Sequence, residues 1–139
     1  MIETIEETRS FNVKATVIWN IIGNISRCDW VPGVESIELN GNERTFKMAG
    51  MGELVEKILE CDDEAMNLKY SAIKTMAPIK HHLAQINLIE DGEKTLFRWS
   101  TEIDPPEFSE AIRAGMLASL DKLEAVSYTH LRAHETKAN

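Results

Sequence analysis

The hydrophobic period of this chain switches from two residues to nearly four close to its end, and that switch restricts the folds open to it. Between residues 34 and 103 the chain breaks into strand-length segments at 34–39, 43–48, 52–61, 67–74, 81–89 and 95–103. Asn40-Gly41 and Asp91-Gly92 are hairpin signals, and most of the other breaks are also short. Short turns leave no length for crossovers, so the segments form an antiparallel meander and not a parallel sheet. Over residues 107–126 the apolar side chains fall instead at Phe108, Ile112, Met116, Leu120 and Leu123, the stripe of an amphipathic helix. Pro106 before it, and Glu107 and Glu110 in its first turn, suit a helix start.

Ahead of the meander, residues 2–13 read as an edge strand carrying Ile5, Arg9 and Phe11. Ile18, Trp19 and Ile22 then recur at helical spacing until Gly23-Asn24 stops them, and Trp30-Val31-Pro32-Gly33 is turn chemistry. Two short helices are expected here. The fold class is therefore α+β: a curved antiparallel sheet of about seven strands wrapped on a long C-terminal helix. Residues 1–126 form one domain, with the helix ending near Val126. Residues 127–139 break the stripe and resemble a translated cloning adaptor, so they are expected to be a non-native or disordered tail.

The net charge of −8 excludes the basic face that nucleic acid requires and disfavours docking on anionic membranes. No apolar run reaches the roughly 20 residues of a membrane span. Cys28 and Cys61 form no disulfide framework, and the acidic N-terminus lacks a signal-peptide profile, so a cytoplasmic location is expected. A monomer or weak homodimer, without metal or cofactor, is the expectation. His130 and His134 have zinc-like spacing but no nearby third ligand. Gly50 and Gly52 lack the following helix of a phosphate loop, and Asn24-Ile25-Ser26 is a glycosylation sequon only by letter.

Several loose motifs in a fixed order resemble one family. They are Ala15-Thr16-Val17-Ile18-Trp19, Trp30-Val31-Pro32-Gly33-Val34, and Gly52-Glu53-Leu54-Val55-Glu56-Lys57-Ile58. Leu68-Lys69-Tyr70 and Arg98-Trp99-Ser100 follow, before the Pro-Pro entry to the last helix. Over residues 2–126 the chain resembles the SRPBCC superfamily (START-like, with the birch-pollen-allergen helix-grip fold), and within it the small polyketide cyclase/dehydrase-type proteins. The resemblance implies a cavity between sheet and helix that takes a small apolar molecule, and it does not choose between carriers and enzymes.

Strand alternation then sorts the candidate ligand-binding residues. Leu54, Glu56 and Ile58 share one face of their strand, as do Tyr70 and Ala72 of theirs. The resemblance turns His82, Ala84 and Ile86 inward, with Phe97, Trp99 and Thr101 opposite. Met116 and Leu120 point down from the helix, with room left at Gly115, and Trp30 packs at the cavity mouth. Glu56, Tyr70 and His82 are the polar groups of an otherwise apolar wall. Glu56 is either a ligand anchor or general base, or a carboxylate held in a salt bridge at the sheet rim. His82 is either a satisfied wall residue or an acid/base. His81, its neighbour, points the other way and cannot share a metal with it.

Two functions follow. One is a carrier or sequestering protein for a small hydrophobic or aromatic ligand. The other is a cyclase or dehydratase acting on a polyketide-like carbonyl compound, with Glu56 or His82 as acid/base. A partner-binding domain with an incidental cavity is a third class, which an exposed apolar patch near Trp30 would favour.

Overall fold

A computed structural model describes the backbone of residues 1–138 and the side chains of residues 1–129. The elements are β1 (Glu3–Phe11), α1 (Ala15–Ile22), β2 (Glu38–Asn40), β3 (Glu43–Met48), β4 (Gly52–Asp62), β5 (Asn67–Lys74), β6 (His81–Asp91), β7 (Lys94–Asp104) and α2 (Ser109–Ala138). The strands form one sheet of order β1-β7-β6-β5-β4-β3-β2, with every neighbouring pair antiparallel. Gly41 and Gly92 take φ of 65° and 62° in the hairpin turns, a backbone region glycine enters without steric cost.

The regular ladder is interrupted between β4 and β5. Residue pairing there skips Ile73 beside Glu56 and Leu59 beside Ile58, two bulges whose unpaired residues are both about half exposed. A bulge adds one residue to one side of a ladder and bends the strand that carries it. The concave face so formed is lined by the alternating apolar residues of β6 and β7, among them Ile86, Leu88, Phe97 and Ile103. Over one end of that face pack Ile18, Ile21 and Ile22 of α1, together with Leu120 and Leu123 of α2. Each such side chain contributes about 1.5–3 kcal/mol on full burial. Thr95, also fully buried, donates its hydroxyl hydrogen to the Val13 carbonyl at 2.7 Å and ties the start of α1 to β7. Arg9 pairs with Asp121 at 2.7 Å, and Arg113 pairs with Glu7, but these links between β1 and α2 are exposed and contribute little.

Three local expectations are corrected. First, one helix follows β1, not two. Beyond Gly23 the Asn24 side chain accepts from both the backbone N–H and the hydroxyl of Ser26, a local bond that competes with helix. Second, the strand expected at residues 34–39 narrows to Glu38–Asn40, with Val34 joined to Met48 by a single bridge. Glu38 pairs with Thr45, so more residues lie between the two pairings on the Val34 side than on the Met48 side, and the ladder between them breaks. Third, α2 does not stop near Val126 but continues to Ala138. Residues 127–138 contain neither Gly nor Pro, and Leu131, Arg132, Ala133, Glu135 and Lys137 are good helix formers, so propensity carries the backbone past the end of the apolar stripe. His130 and His134 lie outside the described side chains.

Leu120→Ala should lower unfolding stability by about 2–5 kcal/mol in urea titrations, because a fully buried side chain leaves a void. Leu117→Ala, on the exposed side of the same helix, should stay within about 0.5 kcal/mol of the parent.

Candidate functional site

The helix seals the sheet at one end and stands away from it at the other. Gly115 of α2 borders the gap on the helix side, and a Cβ built there would meet no atom within 4 Å. Ala72 on β5 is similarly small. Between them lies a cavity of about 240 Å³, open to solvent on one side and bordered by the turns around Trp30 and Val34 and by the loop holding Thr75, Ala77 and Ile79.

Eight of the sequence candidates line this space: Leu54, Glu56, Tyr70, Ala72, His82, Trp99, Thr101 and Met116. The other five do not. Ile58, Ala84, Ile86, Phe97 and Leu120 are buried in the packed core beneath it. Alternation assigns them the correct face but cannot say how far along that face the helix stays in contact. The hydrophobic residues of α1 and the Leu120–Leu123 turn of α2 fill that end. Trp30 is buried against the cavity, its ring 5.9 Å from that of Trp99, so it presents no exposed patch.

The polar wall is organised by a residue that strand alternation did not single out. Arg44 of β3 stands directly opposite Glu56 of β4, and its Nε donates to Glu56 Oε1 at 2.7 Å. Both side chains are largely buried. Arg44 Nη1 also donates to the Ile25 carbonyl at 3.2 Å, and the guanidinium lies 4.9 Å from the centre of the Tyr70 ring. A signal for this was present. A turn centred on Gly50 pairs Met48 with Gly52, and counting back along both strands brings Arg44 to Glu56.

His82 is fixed by the backbone beside it. The Ala72 N–H donates to His82 Nδ1 at 2.9 Å, so that nitrogen carries a lone pair and the neutral ring keeps its proton on Nε2. Burial pushes the His82 pKa down, the nearby Glu56 carboxylate opposes this, and His81 lowers it slightly further. His81 itself turns to the outer face and meets Glu102 at 3.0 Å. Tyr70 is held in its neutral phenol form, because burial and then the Glu56 charge both raise its pKa. The Trp99 indole N–H comes near the Tyr70 hydroxyl without bonding to it, and that N–H is buried with no acceptor. Thr101 spends its hydroxyl hydrogen on Met116 Sδ at 3.6 Å.

A family described as polyketide cyclase/dehydrase and lipid transport matches residues 3–127. The chain belongs to this family. Its seven-stranded sheet closed by a long terminal helix is that of the SRPBCC helix-grip fold. No curated protein matches the chain in sequence. Among solved structures, XoxI from Bacillus cereus is 20% identical with a TM-score of 0.82, covering 90% of this chain and 95% of its own. The Zhui aromatase/cyclase from a Streptomyces species is 15% identical with a TM-score of 0.80, covering 96% and 98%. Norcoclaurine synthase from Thalictrum flavum, in complex with dopamine and hydroxybenzaldehyde, is 18% identical with a TM-score of 0.74, covering 94% and 88%. At these identities the likeness extends to the fold. Among the described residues of this family member, no helix is long and apolar enough to cross a membrane.

The buried pair and the histidine each give a prediction. Glu56→Ala leaves Arg44 charged and unmatched, and should cost about 3–5 kcal/mol in chemical denaturation. Arg44→Met combined with Glu56→Leu should recover most of that loss. His82 carries the opposite sign to a stabilised cation. The unfolded chain takes up the proton as pH falls through about 6.5, whereas the folded one resists it until lower pH. Stability is thus fully present above that range and falls below it. Melting curves at about pH 7.5 and 5.5 should show a smaller drop for His82→Asn, which keeps an acceptor for the Ala72 amide but cannot titrate.

Proposed function

We propose that this protein binds a small, largely apolar molecule of one or two rings in the cavity beneath the first turns of α2, and carries or sequesters it. The observation that carries this reading is an apolar cavity left unfilled between a close-packed core and the outer turns, with its polar groups gathered on one wall. Interiors of this density do not leave such spaces at random. A two-ring ligand hiding roughly 250 Å² of apolar surface would gain about 6 kcal/mol, before the costs of association. That figure caps the affinity at a dissociation constant of roughly tens of micromolar, and the association costs move it toward the millimolar range. That a protein of the same fold holds dopamine and hydroxybenzaldehyde supports an aromatic ligand.

A cyclase or dehydratase is the second reading, favoured by Glu56 and His82 lining the same cavity. Against it, the Glu56 carboxylate is engaged by Arg44, and His82 has its one basic lone pair on the Ala72 amide. His82 therefore offers no free base to a substrate, and Glu56 offers only its second oxygen, beside the Arg44 cation. Binding is the reading we adopt.

Gly115→Phe tests it. Gly115 borders the cavity and a Cβ there meets no atom within 4 Å, so a ring at this helix position should obstruct the cavity while folding is kept or improved by up to about 1 kcal/mol. Fluorescence titration with the neutral two-ring probe 2-methoxynaphthalene should show saturable binding to the parent and at least tenfold weaker binding to the variant. Equal binding to both, or none to the parent, would overturn the proposal.

A further inference from the structure

We infer that the polar wall of the cavity recognises a hydrogen-bond acceptor, a carbonyl oxygen on an uncharged aromatic body, through the Tyr70 hydroxyl and His82 Nε2–H. This rests on the ligand-binding reading and specifies its chemistry.

Glu56 Oε1 accepts from Arg44 and His82 Nδ1 is occupied by the Ala72 amide, which leaves the second Glu56 oxygen as the strong acceptor still open on this wall among the described residues. The donors left over outnumber it. His82 Nε2–H has no protein partner among the described residues, and its ring centre lies 6.1 Å from that of Tyr70. Among the described residues the Tyr70 hydroxyl has no hydrogen bond of normal geometry, and beside it the Trp99 N–H is buried without an acceptor. These two lacks resolve together. When the Tyr70 oxygen accepts the indole hydrogen, the phenol hydrogen is left to point elsewhere, and an acceptor in the cavity completes the chain.

A ligand that brings a donor, or no polar atom, leaves this chain incomplete, which is the arrangement that discriminates most strongly against analogues lacking the matching group. Charge then chooses among acceptors. The Arg44 cation is matched by Glu56, His82 is held neutral, and the chain carries a net −8. A carboxylate would enter a wall with no unmatched positive charge and beside an existing anion. A ketone or aldehyde oxygen satisfies the donors without that conflict.

The test uses the full chain and three ligands of nearly one shape: acetonaphthone, isopropenylnaphthalene, in which carbon replaces the carbonyl oxygen, and naphthoate. Calorimetric titration should give acetonaphthone at least tenfold tighter binding than either of the others. Tyr70→Phe should bring acetonaphthone to the hydrocarbon's level. Should that variant fold poorly, the carbonyl stretch of bound acetonaphthone in the parent gives the same answer, since two donors move it to lower frequency. Equal binding of ketone and hydrocarbon, an unshifted carbonyl, or a preference for naphthoate overturns the inference while leaving the cavity a ligand site. Failure of all three to bind removes the ligand-binding reading as well.

Discussion

A helix is nearly straight and a bulged sheet is not, so the two cannot touch along their whole length. The rest of this structure depends on how that mismatch is distributed. The apolar side chains of α1 and the Leu120–Leu123 turn of α2 close the gap at one end completely, with Phe97, Ile86 and Ile103 beneath them. The entire separation is displaced to the other end, where Gly115 and Ala72 leave it open. A cavity beside a close-packed core results, and both follow from one geometric constraint.

The charged groups depend on that arrangement in turn. Opening a cavity into the sheet exposes its inner wall to a medium poorer than bulk water, where an isolated carboxylate or guanidinium would be costly. Arg44 and Glu56 answer each other across adjacent strands, and their pairing organises what surrounds them. The guanidinium lies over Tyr70, while the carboxylate lies within electrostatic reach of both Tyr70 and His82. Backbone supplies the remaining control. The Ala72 amide fixes the His82 tautomer through a bond that no sequence motif would indicate.

The fold was readable because its signals are periodic. Hairpin turns at Asn40-Gly41 and Asp91-Gly92 and the stripe from Phe108 to Leu123 express forces that act within a few residues of each other. Glu56, Tyr70 and His82 were readable for the same reason, as polar residues on inward-facing strand positions. What escaped notice depends on register and on distance along a face. Arg44 required pairing two strands by count, which the turn at Gly50 permits. Ile58, Ala84, Ile86, Phe97 and Leu120 share the inward face with the true wall residues, and only the position of α1 separates core from cavity. The end of α2 was misplaced because the apolar stripe stops where helix propensity does not.

The two bulges carry a consequence for how such a protein evolves. Leu59 and Ile73, the residues without a ladder partner, are each about half exposed on the outer face. Each bulge interrupts the backbone pairing that a regular strand would keep. A lineage selected for robustness alone would be expected to lose such insertions and flatten the sheet onto its helix. The space beneath α2 would then shrink. Irregular strands that persist despite their thermodynamic disadvantage are what selection for an interior volume would leave behind.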